Sequence, residues 1–380
     1  MDLEDKHLIF LNRINGIGPR TINKFINKLD TIRDLWSMSR QEIINLGVKA
    51  KKVDKFISKK DEIKKFSAEK LIAEKEMNYL TLYNEDYPDK LRNIYDPPPV
   101  IYYRGQLNFS LPAVAVIGSR NSTLYGRRIA SKTASELAAK GINIVSGLAK
   151  GIDSTAHKGA LSVEAGITTA VLGNGFNYIY PSQNRLLTKQ IADKGLLITE
   201  FNPDVPPTAG NFPRRNRIIS ALSDLVLVVE AGKKSGTLIT VDYALEQGKD
   251  VMAVPANIDR PTSVGCNKLL KKGALIFTGV QDILDYLNKF LQTEADQNEF
   301  QFSKEVLDEI YPELSFEEKK VLKLFQHEIE LYYEDIRKLS NLTTDKVDKI
   351  LVKFELMDLI IRLKGKKYQF KGLQNLIKPI

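Results

Sequence analysis

The sequence predicts an α/β protein: a mostly parallel sheet wound with helices, preceded by a small helical head and followed by a helix-rich tail that ends in a hairpin. Three observations predict it. Residues 113–278 alternate apolar, β-branched runs with helical segments; the first 70 residues are short, Lys-rich amphipathic helices; a polar stretch near 291–305 sets off the remainder.

The apolar runs are AVAVIG, INIVSG, TTAVLG, GLLITE, DLVLVVEA, DVMAVP and ALIFTG. Near-continuous apolar runs mark strands buried on both faces, and their alternation with helices implies parallel neighbours joined by right-handed crossovers. Between head and core lies the connector YNEDYPDKLRNIYDPPPVIYYRG, whose Pro97-Pro98-Pro99 cannot sit inside a helix. The expected division is a helical head over 1–75, an α/β core over 76–290, a linker over 291–305 and a tail over 306–380. A chain of 380 residues is too long for one ordinary core, which agrees. In the tail, FEEKKVLKLF, LYYEDIRKLS and TTDKVDKILVKFELMDL read as three helices, and LIIRLKGKKYQF reads as a hairpin turning at Lys364-Gly365; the order is that of a winged helix.

Composition narrows the function classes. With 43% hydrophobic and 27% charged residues, the chain has the make-up of a soluble globular protein. No apolar run approaches the roughly 20 residues of a membrane span. The opening MDLEDKHLIFLNRING has no signal-peptide pattern. A single cysteine, Cys266, excludes an intramolecular disulfide and a Cys-rich metal site. The expectation is a cytoplasmic protein without membrane contact. Net charge is +9, unevenly spread: residues 1–70 hold 16 Lys/Arg against 10 Asp/Glu, and residues 295–380 hold 15 against 16. A basic head suits a polyanion, because phosphate contacts release condensed counterions, although Lys-rich helices also serve solubility alone.

Motifs sharpen this. Ile14-Asn15-Gly16-Ile17-Gly18-Pro19-Arg20 has the form of a helix–hairpin–helix turn, presenting backbone N–H groups at a helix start; Leu46-Gly47-Val48-Lys49 is a degenerate second copy. The turn packs two helices whether or not it binds a ligand. The first core strand ends in Gly118-Ser119-Arg120, where a Rossmann-like sheet places its first phosphate-binding turn. GSRNSTLYG lacks the second glycine of the dinucleotide fingerprint and offers an arginine fork instead, so no nicotinamide cofactor is expected. The second strand runs into SGLAKGID. There Lys150 is a phosphate candidate, Asp153 reads as a helix N-cap, and His157, without Cys or a second His nearby, is a weak metal candidate. Tyr178 and Tyr180 after the third strand read as plugs of a core edge more readily than as stacking platforms. The densest signal is Gly210-Asn211-Phe212-Pro213-Arg214-Arg215-Asn216-Arg217, three arginines and an asparagine behind an aromatic at a helix start. Forked guanidinium groups and a stacking ring are the tools of single-strand binders. Helical spacing cannot turn all three arginines to solvent on one face, so one or two are expected to brace the crevice wall. Ser235-Gly236-Thr237 forms another anion-receptive helix start, and Asn267 and Lys268 open a later core helix.

The ordered set VIGSR, SGLAKGID, NFPRRNRII, EAGKKSGTLIT, ALEQGKDVMAVP and GCNKLLKKGA resembles the DNA-processing protein A (DprA/Smf) family over roughly residues 80–280. That resemblance implies a helical (helix–hairpin–helix or SAM-like) head, an extended Rossmann-like core and a winged-helix tail. It implies binding of single-stranded DNA, homodimerisation, and delivery of the strand to RecA recombinase during natural transformation, without metal, cofactor or catalytic step. The pocket it implies falls on Arg120, Lys150, Arg214, Arg215, Arg217 and Asn267. The helix at 343–355 mixes Lys346, Lys349 and Lys353 with Asp345, Asp348 and Glu355, a balance that favours protein contact over reading a duplex. The rival enzyme class, Rossmann-like nucleotide phosphoribohydrolases, needs an acid at the turn where this chain has GTLIT; Glu230 is the nearest substitute. A nucleotide sensor and a recombinase adaptor are the other rivals.

Overall fold

A computed structural model describes residues 2–297, 314–325, 330–340, 342–357, 359–363 and 365–370. All seven predicted runs form strands. They are β3 (Ala113–Gly118), β4 (Asn143–Ser146), β5 (Thr168–Val171), β6 (Leu196–Thr199), β7 (Leu225–Glu230), β8 (Asp250–Ala253) and β9 (Leu275–Ile276). Two further strands lie outside the predicted runs, β1 (Asn78–Thr81) just before the quoted connector and β2 (Val100–Gly105) at its end. The nine lie in the order β1-β2-β6-β5-β4-β3-β7-β8-β9. From β6 to β9 every neighbour is parallel, while β1–β2 and β2–β6 pair antiparallel.

The fold follows from side chains alternating across β3. Val114 and Val116 face α7 (Leu124–Ala138) and α8 (Ile152–Leu161), where Ala130, Ala134, Ala156 and Ala160 let backbone and sheet approach closely. Ala115 and Ile117 face α10 (Asn211–Ala221) and α11 (Thr237–Glu246) through Ile218, Ile219, Val241 and Ala244. β9 departs from the expectation of burial on both faces: Leu275 and Ile276 are 39% and 59% exposed, since this strand closes the edge of the sheet. The helix after it, Val280–Gln297, continues through the first half of the stretch read as a linker; the rest of that stretch lies outside the described residues.

The helical head comprises α1 (Leu3–Arg13), α2 (Pro19–Ile26), α3 (Arg40–Asn45), α4 (Ala50–Ile57) and α5 (Ala68–Glu74). Gly16, between α1 and α2, and Gly47, between α3 and α4, stand at φ 92° and 84° in the left-handed region. Leu8, Leu11, Phe25, Ile43 and Phe56 share one hydrophobic cluster with Tyr102 of β2, Leu197 of β6 and Ile191 of α9 (Arg185–Lys194). Buried Asp5 accepts from Thr81 Oγ1 at 2.6 Å and from the Tyr79 hydroxyl at 3.1 Å, tying α1 to β1. Residues 1–287 therefore form one compact unit.

The second unit has its own core of Val321, Leu322, Ile336, Val347, Leu351 and Phe354. Its helices span Phe316–Leu324, Tyr333–Ser340 and Thr344–Leu356. Strand Glu330–Tyr332 joins the hairpin strands Ile360–Leu363 and Lys367–Phe370 in a three-stranded antiparallel sheet. Gly365 and Lys366 turn the hairpin with φ of 85° and 56°, and Lys364 lies outside the described residues. Among the described residues no helix is long and apolar enough to cross a membrane.

His157 is a packing residue. It is fully buried on α8, and its Nδ1 lies 2.7 Å from the Thr168 hydroxyl at the start of β5. Burial, with a smaller contribution from Arg215, pushes its pKa from 6.5 to about 3. The folded state thus refuses a proton that the unfolded chain accepts, so this part of the stability is complete above pH 6.5 and is lost as pH falls from 6.5 toward 3. Urea midpoints are expected to drop between pH 6.5 and pH 5, with His157 adding up to about 1.4 kcal/mol per pH unit. His157→Asn should remove that increment from the slope; an unchanged slope would contradict the assignment.

Candidate nucleic-acid interface

Strand order reverses around β3, with β4 on one side and β7 on the other, and at such a switch point the carboxyl ends of the strands leave a crevice. A cleft of about 580 Å³ opens there. Its lining comes from the loop after β3 (Gly118, Ser119, Arg120, Asn121), the turn after β4 (Ala149, Asp153), the loop after β5 (Tyr180), α10 (Phe212, Arg215, Asn216) and the start of α11 (Ser235, Gly236, Thr237, Thr240). An adjoining recess adds Gly147, Lys150, Gly173 and Pro181.

Arg215 sets the geometry of the floor. It is 3% exposed, and its guanidinium donates to the carbonyls of Gly147, just past β4, and of Val171, which ends β5. A Cβ on Gly147 would stand 2.6 Å from that guanidinium, so the close approach requires glycine. Burial pushes the Arg215 pKa down to about 10, against the pull of Asp153. Burial likewise raises Asp153, which Arg215 and the backbone N–H groups of Ala149 and Gly147 partly offset. Gly151 begins α8 at φ 80°, and a Cβ there would lie 2.3 Å from the Ser119 carbonyl oxygen. Leu148, also left-handed at φ 54°, is held by Asn184 Nδ2, which donates to its carbonyl at 2.9 Å.

At the mouth the Arg120 guanidinium lies 5.3 Å from the centre of the Phe212 ring, and Phe212 stacks at 5.2 Å on Tyr180. Three helices, α8, α10 and α11, start at the cleft from Gly151, Gly210 and Gly236, and at α11 the Ser235 hydroxyl accepts from the Thr237 N–H at 3.3 Å. Their dipoles make the floor receptive to anions, while further first-turn N–H groups are also bonded within the protein: Ile152 donates to the Ser119 carbonyl and Ile239 to that of Gly236. Arg120, Lys150, Lys233 and Lys234 are exposed.

Of the residues singled out from the sequence, Gly118, Ser119, Arg120, Phe212, Arg215, Asn216, Ser235, Gly236 and Thr237 line the cleft, and Lys150 lines the recess. Four do not. Arg217 is buried and pairs bidentately with Glu200, at 2.9 Å on each arm, and Arg214, one turn earlier on the same face of α10, reaches that carboxylate at 2.7 Å. Burial opposes the Arg217 charge, yet Glu200 holds its pKa above the ordinary value. Asn267 is locked on the Ala256 backbone through both ends of its amide, and Lys268 is an exposed residue of the helix Val264–Lys271; neither lines the cleft. Asp153 is not an N-cap either: Gly151 holds that position and Asp153 sits inside the first turn. Glu230 is committed to the loop before α7, accepting from the backbone N–H and hydroxyl of Thr123. Cys266 is buried, and its thiol is pushed up to about 11, mainly by that burial. Sequence reasoning passed over Asn121 and Thr240, which line the cleft, and Asn184, which braces Leu148 from behind, and it undervalued Tyr180, which the loop after β5 brings to the cleft.

The family described as DNA recombination-mediator protein A matches residues 78–288. The chain belongs to that family. Protein Smf of Synechocystis is 37% identical over 289 residues, covering 74% of this chain and 72% of that protein. The structure of DNA processing protein A from Streptococcus pneumoniae superposes with a TM-score of 0.64 at 30% identity, over 75% of this chain and 98% of that one. DNA processing protein A from Helicobacter pylori, whose structure is described as revealing a unique single-stranded DNA binding mode, superposes at 0.51 with 31% identity, over 57% of this chain and 98% of that one. The matched segment begins at β1, so the antiparallel strands that the connector conceals belong to the family's sheet.

Two substitutions separate the supports of this site. Glu200→Gln leaves Arg217 buried without its counter-charge and should cost about 3–5 kcal/mol, read from urea unfolding. Gly151→Ala forces a Cβ into the Ser119 carbonyl at a left-handed position and should cost about 1–3 kcal/mol. A loss within about 0.5 kcal/mol for either would contradict the packing described.

Proposed function

We propose that the protein binds single-stranded DNA along this cleft without marked sequence preference and acts as a recombination mediator that hands the strand to RecA. The observation that carries the reading is the group of Arg120, Phe212 and Tyr180 at the mouth of a cleft at which three helices start. Stacked rings and guanidinium planes accept any base, while backbone N–H groups and exposed basic side chains take the phosphates. Membership of the family and the single-stranded DNA binding mode described for the Helicobacter pylori protein support the same ligand.

Catalysis is not part of the proposal. The acid that glycoside chemistry demands is missing from the right place: Glu230 is spent on Thr123, and among the cleft-lining residues Asp153 is the one carboxylate, buried beside Arg215. We read the chain as a cytoplasmic homodimer with a helix–hairpin–helix head, a Rossmann-like core and a winged-helix tail. In the tail, Lys346 pairs with Glu317 at 2.6 Å and Lys353 with Glu318 at 2.8 Å, so two of the helix's lysines are neutralised within the unit. That supports protein contact over duplex binding.

Fluorescence anisotropy with labelled single strands tests the reading at two salt concentrations. Wild type should bind single strands in preference to duplex, with log K falling by about 0.7 for each phosphate neutralised per decade of salt. Arg120→Glu/Lys150→Glu should weaken binding at least about tenfold and flatten the salt slope. Saturable mononucleotide binding that ignores salt and this double substitution would replace the proposal with a nucleotide sensor.

A further inference from the structure

The outer face of α7 carries a further aromatic–guanidinium pair, outside the cleft. Leu124 and Tyr125, in its first turn, are 80% and 41% exposed, and the Arg128 guanidinium, one turn on, lies 5.9 Å from the centre of the Tyr125 ring. The same pairing stands at the cleft mouth, where Arg120 lies 5.3 Å from the Phe212 ring. Packing turns these residues outward. A Cβ on Gly126 would stand 2.4 Å from the Glu230 carboxyl carbon, so α7 rests on Glu230 through a glycine and leaves Leu124, Tyr125 and Arg128 to solvent. The helix start itself is closed: the Thr123 hydroxyl accepts from the Gly126 N–H at 3.1 Å, and Glu230 accepts from the Thr123 N–H at 2.9 Å. What this face offers a ligand is therefore its side chains.

Charge and position select the ligand. From Ala113 to Ser135 the sequence holds Arg120, Arg127, Arg128 and Lys132 and no Asp or Glu. Glu230, beneath the helix, is 4% exposed and committed to Thr123, and Glu136 reaches Lys132 at 3.7 Å in a weak surface pair. α8, packed on α7 at Gly159 and Ser131, adds exposed Lys158, while its Asp153 is buried beside Arg215. The face is also continuous with the cleft. Asn121 lines the cleft, Arg127 donates back to the Ser122 carbonyl at 2.6 Å, and the four-residue step from Asn121 to Tyr125 spans at most about 14 Å of chain.

We propose that the outer face of α7 is a second base-stacking platform for the same single strand, which leaves the cleft over the 119–123 loop, sets a base on Tyr125 and passes its backbone beside Arg128. A stacking ring with a guanidinium, on a basic face whose carboxylates are buried or paired, fits a polyanion with unpaired bases. The inference rests on the single-strand reading of the cleft.

Anisotropy with a graded series of thymidine oligonucleotides is the test. Wild-type affinity should rise in two steps, the first as strands fill the cleft and the second as they reach α7. Tyr125→Ala changes no charge and should abolish the second step, with a loss on the order of tenfold for long strands. Arg128→Glu should do the same and lower the salt slope by about 0.7. Both residues are exposed, so short strands should bind to either variant as they do to wild type. Tyr125→Trp keeps a stacking ring, and its emission should be quenched by long strands alone, read against wild type, whose single tryptophan, Trp36, packs on Phe56 in the helical head. If Tyr125→Ala binds long strands with wild-type affinity, the platform is wrong and the cleft reading stands. If Arg120→Glu leaves even the shortest strands bound as tightly as wild type, the cleft reading falls and takes this inference with it.

Discussion

A single guanidinium, that of Arg215, connects the parts on which the cleft depends. It leaves α10 and donates to the carbonyls of Gly147, just past β4, and of Val171, which ends β5. Buried carbonyls at strand ends need donors, and a cation buried without partners is expensive, so each side of the contact requires the other. Gly147 has no side chain because the guanidinium occupies its space, and the left-handed turn through Leu148 to Gly151 carries the chain past it into α8. The receptive floor is thus a consequence of how the sheet edge is closed, and Arg215 acts on any ligand chiefly by fixing that floor.

The three arginines of α10 divide their work by helical geometry. Residues three apart share a face, so Arg214 and Arg217 turn together toward Glu200, and Arg215 turns toward the strand ends. Glu200 is the last residue of the GLLITE run, immediately after β6, and its backbone carbonyl accepts from Asn12 Nδ2 of α1 at 3.1 Å. One buried carboxylate therefore fastens α10 to the sheet while its backbone fastens the sheet to the helical head. That one or two arginines brace the wall is legible in the sequence, because periodicity alone forbids three on one face. Which ones do so depends on Glu200, whose approach to α10 is a tertiary event that no local pattern announces.

The same distinction explains what else was legible. Parallel strands buried on both faces are written as unbroken β-branched runs, and all seven of them were found, down to the two exposed residues of β9. β1 and β2 were hidden because NYLT and VIYYRG flank a proline-rich connector, and the sheet supplies the pairing partner that makes VIYYRG a strand. At the site, Gly118, Arg120 and Ser235 were legible because turns after strands have a fixed address in a doubly wound sheet. Asn184 and Tyr180 were not, since they arrive from a loop whose closure is decided by Asn184 bonding Leu148 and by Tyr180 stacking on Phe212.

The electrostatic character of the cleft follows from the same economy. Few of its positive features are exposed side chains: Arg215 is buried, and the helix starts contribute through backbone dipoles. Helix dipoles are fixed and indifferent to the identity of a base, so in the proposed reading they favour phosphates without reporting sequence. Arg120, Phe212 and Tyr180 sit together at the mouth, where the proposal places the bases. In the proposed reading, fixed dipoles face the repeating part of a polymer and rings and a guanidinium plane face the changing part, which is the physical basis for proposing single strands of any sequence as the ligand.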